Sequence, residues 1–263
     1  MPVVGKSQER TPFKHFLLDA MVGKVSGSLA TGSPKMVAVP PLLCVDLCAG
    51  NGVDDDISGS SPSIFQKHCM HPCGRRNKAT LTLIERDPAN YDKLAQNVEA
   101  NDWTTLINGD AREYSLPVGL SSKQAVFIHC DPNNVHETPL TEAFVKSWTK
   151  CTTYLVTLGC NAGGVKRLPL EHRRPWFEYV SMLQVNLPSH HDLILFRLIR
   201  DASQWAYAMN SPKAWSNQLL RCGVSKGNEI WPNGVEGISW RGERNKFNET
   251  VHQLFCTKKE LGE

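Results

Sequence analysis

Four carboxylates in this chain stand where a short apolar run gives way to a loop: Asp46 after PLLCV, Glu85 after LTLI, Asp110 after TTLING and Asp131 after QAVFIHC. Each run has the length and bounding turn residues of a strand. In a doubly wound sheet, ligands bind beyond the carboxyl ends of the strands, at the crevice where strand order reverses. Asp46 leads into Cys48-Ala49-Gly50-Asn51-Gly52, where Gly50 and Gly52 permit close backbone approach to a ligand and the carboxylate anchors its polar groups. Glu85 can accept both hydrogen bonds of a ribose diol. Asp110 and the backbone of Ala111 suit the edge of an adenine. Asp131-Pro132-Asn133-Asn134 turns further polar groups into the same crevice. Each signal alone has an ordinary alternative, a tight turn or a solvated strand-end charge. Four in consecutive order favour one shared ligand site.

The elements that would position these groups repeat as strand, loop and helix from about residue 41 to 161. That rhythm predicts an α/β fold, a doubly wound, mostly parallel sheet of about seven strands with an antiparallel edge and helices on both faces. Before it, Phe13, Phe16, Leu17, Met21 and Val22 recur at helical spacing, so 12–25 reads as an amphipathic helix followed by a linker to about residue 40. Residues 53–78 read as an insertion loop with one short helix, SIFQKHC. Pro88 opens a helix bearing Tyr91, Leu94, Ala95 and Val98 on one face, and TPLTEAFVKSWTKC and about 170–187 read as further helices. DLILFRLI and SQWAYAMN read as late strands, PKAWSNQLLRC as a helix, 223–246 as a loop-rich segment and VHQLFCTKK as a strand closing the sheet. The whole, 1–263, is expected to be a single domain.

Composition narrows the class without naming a function. The chain has 263 residues, 41% hydrophobic and 21% charged, with a formal net charge of +3. This fits a globular protein with a core and excludes a disordered polyelectrolyte; a nucleic-acid-coating protein would be far more basic. The nine cysteines are odd in number and scattered through strand-like runs, a poor disulfide framework. With no signal-like start and no run near the ~18 apolar residues of a membrane span, the expected compartment is the cytoplasm.

Other clusters carry chemistry by type. His68-Cys69-Met70-His71-Pro72-Cys73 offers four zinc-type donors, but one short segment rarely wraps a tetrahedral ion and no second ligand pair is evident, so no metal is expected. In LGCNAGGVKRLP, Asn161, Lys166 and Arg167 offer an amide and two cations suited to phosphate; the alternative is a plain turn with a solvated charge pair. Arg173 and Arg174, with Arg75, Arg76, Arg241, Arg244 and Lys246, would extend a phosphate-tracking face if they converge. Trp205 and Tyr207 alternate as a core pair, whereas Trp231 and Trp240 suit stacking on an unpaired base.

With these residues in view, the region 41–161 resembles class I S-adenosylmethionine-dependent methyltransferases. The resemblance implies that Asp46, Cys48, Gly50 and Gly52 line the methionine part of S-adenosylmethionine, Glu85 its ribose, and Asp110-Ala111 its adenine. Asp131-Pro132 matches the first half of the D/N-P-P-aromatic motif of enzymes that methylate exocyclic amines of nucleic acids, so Asp131, Pro132 and Asn133 would be catalytic. Asn133 and Asn134 depart from the motif's second proline and aromatic. Asp46 and Glu85 stand 39 positions apart, against about 20 in the usual fingerprint. That stretch, the N-terminal Lys14-His15 and Ser61-Pro62 are similar to the three-Cys-motif partner proteins and to adenine-N6 ribosomal-RNA methyltransferases. This likeness implies a nucleic-acid substrate and puts Lys14, His15 and Ser61-Pro62 near the cofactor or target-base pocket; Asn161, Lys166 and Arg167, from their own chemistry, would bind substrate phosphate. The missing proline and aromatic of the motif allow a second reading, a cofactor-binding partner protein without transfer activity. A nicotinamide oxidoreductase is the weaker alternative, because Asp54–Asp56 would repel a pyrophosphate and no G-x-G-x-x-G is present. Oligomeric state is left open.

Overall fold

The computed structural model describes residues 10–31, 41–53, 59–98, 101–115, 124–131, 153–160, 169–170, 191–198, 206–230, 232, 234–240, 256 and 258–262. Eight strands form one sheet: β1 (Leu42–Asp46), β2 (Thr80–Glu85), β3 (Thr104–Asn108), β4 (Ala125–Cys130), β5 (Thr153–Cys160), β6 (His191–Leu198), β7 (Ala206–Pro212) and β8 (Val235–Trp240). Their order is β3-β2-β1-β4-β5-β7-β6-β8. β1 to β5 are parallel neighbours, and β7, β6 and β8 continue the sheet in antiparallel pairs. The fold is therefore α/β with a doubly wound parallel half and an antiparallel edge. The connection from β1 turns toward β2 and β3 on one side, while β4 and β5 lie on the other. The strand order thus reverses between β1 and β4, and a crevice opens at their carboxyl ends.

The sheet has eight strands where about seven were expected, and the expected loop-rich segment 223–246 is largely regular up to Trp240, residues 241–246 lying outside the described residues. Its first part completes helix α5 (Lys213–Ile230) and its second forms β8. The glycines that suggested a loop are packing positions. A Cβ on Gly227 would lie 2.6 Å from Val235 Cγ2, and one on Gly237 2.6 Å from Leu220 Cδ1, so their lack of a side chain lets helix and strand touch. The closing strand is β8; of the expected VHQLFCTKK strand, Lys258 and Lys259 instead open a short helix, Lys258–Leu261, Cys256 lies in a bend, and the other residues lie outside the described residues. So do the helix expected from TPLTEAFVKSWTKC and nearly all of that expected at 170–187.

Burial follows the pleat. β1 and β4 are buried at every position, as central parallel strands are, whereas β3 at the edge is only partly covered. Leu42, Cys44, Leu81, Leu83, Ala125 and Phe127 share one face with Phe196 and Met209. Onto it pack α1 (Arg10–Ala30), α2 (Ser61–Met70), α4 (Pro88–Asn97) and α5. Alternation sends Leu43, Val45, Val126 and Ile128 to the opposite face, where they are equally buried.

Helix α1 outruns its predicted range at both ends, reaching Ala30 where a linker was expected. Leu29 and Ala30 are buried, and the Asn77 amide donates to the Ser26 carbonyl at 2.8 Å, which secures the extra turn. The expected insertion loop is likewise largely helical. Ser60 and Ser63 form a reciprocal capping box at the start of α2, with Pro62 in the first turn, and α3 (Pro72–Arg76) follows directly. Asp19 of α1 grips α2, accepting from Lys67 at 2.9 Å and pairing with His68 Nε2 at 2.8 Å. Among the described residues no helix is long and apolar enough to cross a membrane.

Two outcomes are expected. Gly223 abuts Phe196 and Met21, a Cβ there falling 2.5 Å from the Phe196 ring. Gly223→Val should therefore cost about 1–3 kcal/mol in urea unfolding by overpacking. The His68 hydrogen bond, chiefly, lowers the Asp19 carboxyl from 3.8 to about 2. The stabilisation it gives is thus present above pH 3.8 and lost as pH falls through 2. Asp19→Asn should lower stability at neutral pH and flatten this acid limb.

Candidate active-site crevice

At the carboxyl end of β1 the chain turns over the sheet through Leu47–Gly52. Leu47 N–H donates to the His129 carbonyl at 2.9 Å and Ala49 N–H to the Ile84 carbonyl at 3.0 Å, so the turn is laced to β4 and β2. Gly50 and Gly52 have φ of +66° and +68°, a region where a side chain is strained. They differ in what lies above them. A Cβ on Gly52 would meet Leu94 Cδ1 at 2.9 Å, whereas one on Gly50 would meet nothing within 4 Å. Gly50 faces open space.

Glu85, at the end of β2, braces this turn. Its Oε2 accepts from Gly50 N–H and its Oε1 from Asp87 N–H, each at 2.8 Å. A carboxylate has about four acceptor sites, so each oxygen retains one for a hydroxyl.

Asp46 is wholly buried. Its Oδ1 accepts from Cys48 N–H at 3.1 Å, and its Oδ2 has no hydrogen-bond partner among the described residues. Burial lifts its pKa from 3.8 to about 7; the Ser61 hydroxyl and Cys48 amide oppose the rise, and the charges of Asp131 and Glu85 add to it. An orphaned carboxylate oxygen of this kind is complementary to a cation or a polar donor.

Asp131 follows β4 on the same face. Lys14 of α1 reaches both its oxygens, at 2.7 and 2.5 Å, with the two side chains 19% and 21% exposed. Burial would raise the Asp131 pKa, but the Lys14 ammonium, above all, brings it below the ordinary value. His129, two residues earlier, is buried beside Phe65, and burial lowers its pKa to about 4. Its ring is neutral at neutral pH. His15 lies on the same helix end as Lys14.

Asp110 sits in the turn beyond β3, where Gly109 N–H donates to the Glu85 carbonyl at 3.1 Å. Arg112 holds its carboxylate through the backbone at 2.9 Å and through Nε at 3.0 and 2.9 Å. That hydrogen bonding to Arg112 lowers its pKa to about 2. The neighbouring Ala111 is buried.

The described structure thus gathers Asp46, Cys48, Gly50, Gly52, Glu85, Asp131, Lys14 and His15 around one crevice, with Asp110 and Ala111 at the end of the adjoining strand. Pro132, Asn133, Asn161, Lys166 and Arg167 lie outside the described residues, as do Arg173, Arg174, Arg241, Arg244, Lys246, Trp205 and Trp231. Tyr207 and Trp240 lie on β7 and β8. Arg75 and Arg76 do not join the crevice: they precede β2, at the opposite end of that strand from Glu85. His68, Cys69, His71 and Cys73 turn to separate partners. His68 goes to Asp19, Cys69 into the core, and His71 Nδ1 accepts from Cys73 N–H at 3.3 Å. His129 is the crevice residue that reading the strand ends missed; its signal was an imidazole inside the apolar run AVFIHC.

No protein-family model matches the chain, and no curated protein matches it in sequence. Its fold is similar to that of the Legionella pneumophila protein LPL1258, at TM-score 0.58 and 13% identity over 88% of this chain and 98% of that one. It is similar also to a probable spermidine synthase from Corynebacterium glutamicum, at TM-score 0.50 and 9% identity over 92% and 77%. A human methyltransferase-like protein 13 in complex with SAH aligns at TM-score 0.46 and 14% identity over 82% and 91%.

Asp46 supplies a test of the crevice electrostatics. Its folded pKa of about 7 exceeds 3.8, so between these values the folded state binds more protons and stability falls as pH rises. Asp46→Asn keeps the Cys48 contact and removes the charge. It should raise stability at pH 8, by on the order of a few kcal/mol, and the gain should vanish toward pH 4. Urea unfolding across that range checks it.

Proposed function

We propose that this chain is an S-adenosylmethionine-dependent methyltransferase acting on an exocyclic amine of a nucleic acid, adenine N6 first among them. The observation that carries the reading is the set of acceptors and open backbone at the switch point. A buried, orphaned Asp46 oxygen, an open Gly50 and a braced Glu85 stand on consecutive strand ends. These fit a ligand that is cationic at one end and bears a ribose at the other. When bound, that cofactor supplies a sulfonium-activated methyl group.

The chain's own residues then have separable tasks. Asp46 faces the positive charge, Glu85 accepts the ribose hydroxyls, and Asp110 with Ala111 borders the adenine. Asp131 accepts a hydrogen bond from the target amine and so directs its lone pair; Pro132 and Asn133 continue that wall. Lys14 keeps Asp131 ionised, and an ionised carboxylate can only accept, which is what orientation of an amine requires. His15 stands beside them, and Asn161, Lys166 and Arg167 take the phosphate backbone. The substrate base must leave its stack to reach this crevice.

One observation favours a second reading, a cofactor-binding partner protein without transfer activity. Lys14 engages both oxygens of Asp131 and competes with the amine for them. Calorimetry with S-adenosylmethionine, alongside radiolabel transfer to DNA and RNA, separates the two. Cofactor binding with transfer to a polymer is expected, and binding without transfer to any polymer supports the partner reading. Asp131→Ala should reduce transfer at least 100-fold while leaving cofactor affinity within a few-fold. Equal loss of both would contradict the division of roles.

A further inference from the structure

At the far end of the sheet from the crevice lies a cavity of about 490 Å³, lined by Met70, Arg75, Lys78, Thr80, Asn101 and Trp103, with Cys69 and Ala79 at its floor. Its volume is in the range of small-ligand sites. It stands at the start of β2, while Glu85 ends that strand; at about 3.3 Å per residue the two sites are roughly 17 Å apart along it.

The lining combines two chemistries. Arg75 and Lys78 are exposed, and neither side chain is ion-paired among the described residues. Among the described residues no carboxylate lines the cavity. Against these cations stands Trp103, partly buried and backed by the hydrophobic core. Met70 is one of the large apolar side chains left exposed, at 45%.

The backbone adds an independent sign. Lys78 has φ of +46° and is the one non-glycine residue with positive φ among those described. It follows the end of α3, its N–H donating to the Arg75 carbonyl at 3.1 Å, at a place where chains ordinarily carry glycine or asparagine. An unbranched cation held in a left-handed conformation is a local cost, and such costs cluster at ligand sites.

We propose that this cavity is an exosite for one nucleotide unit of a single-stranded nucleic acid. Arg75 and Lys78 take the phosphate, and the base rests on the Trp103 indole, closed over by Met70. A guanidinium and an ammonium facing an indole suit a phosphate joined to an aromatic ring better than either part alone. The proposal rests on the nucleic-acid reading for the identity of the polymer. It adds that a strand whose target base enters the crevice continues over the α2–α3 edge.

The test is fluorescence anisotropy of a labelled ten-adenosine RNA at low salt. It compares the parent, Arg75→Glu/Lys78→Glu, and Trp103→Ala with its conservative control Trp103→Phe. The charge-reversed variant should bind about tenfold or more weaker, with a shallower salt dependence and unchanged S-adenosylmethionine affinity and thermal midpoint. Trp103→Phe should retain more affinity than Trp103→Ala; because Trp103 also packs on the core, the surface pair decides the matter if Trp103→Ala fails to fold. Equal binding by parent and charge-reversed protein overturns the exosite while leaving the nucleic-acid reading intact. No binding by the parent overturns both, and cofactor calorimetry then stands alone for the methyltransferase reading. Adenosine monophosphate binding as tightly as the ten-mer overturns the polymer assignment.

Discussion

Crowding of carboxylates in a place with little water is the constraint that organises this molecule. Asp46, Glu85 and Asp131 converge at the carboxyl ends of three adjacent strands, and the charges of Asp131 and Glu85 add to the rise that burial causes in the Asp46 pKa. Each is settled differently. Glu85 accepts from two backbone amides and Asp131 from an ammonium, whereas the single Cys48 amide and the Ser61 hydroxyl leave Asp46 outweighed by burial, which lifts it to about 7. The differences follow from position. Glu85 meets the amide ends of its neighbouring loops, Asp131 meets the end of α1, and Asp46 lies under both with one oxygen facing no donor.

Helix α1 makes that arrangement possible by crossing one face of the sheet from end to end. Its apolar stripe, Leu17, Leu18, Met21, Val22 and Val25, supplies the burial. Three polar ties fix its register: Lys14 to Asp131 at the crevice, Asp19 to His68 midway, and Ser26 to Asn77 at the far end. Burial alone is non-directional and would tolerate a slide along the helix axis. Hydrogen-bonded pairs at three heights would not. The helix is thus a strap linking the crevice to the α2–α3 edge, where the second cavity lies.

The parallel half of the fold was legible in the sequence because strand, loop and helix alternate there with clear turn chemistry. The carboxylates at the strand ends were legible for the same reason, since the pleat dictates where each run stops. What was not legible depended on contacts between distant segments. Gly227 and Gly237 looked like loop residues because their role, close packing of α5 on β8, requires knowing which elements meet. The extra turn of α1 depends on Asn77, 51 residues further along the chain. Lys78 and Trp103 carried no local signal, since one is a strained cap and the other precedes an edge strand. His129 was visible as a polar residue in an apolar run, but its proximity to Asp131 and Lys14 follows only from the fold.

With its pKa at about 7, the Asp46 carboxyl is half-protonated near neutral pH until a cationic ligand faces it. Calorimetric titration of S-adenosylmethionine at pH 7, repeated in two buffers of different ionisation enthalpy, measures the protons released on binding. With the Asp46 pKa at about 7, release of about half a proton is expected, and none from Asp46→Asn. Binding with no proton release, or equal release from the parent and Asp46→Asn, would contradict it.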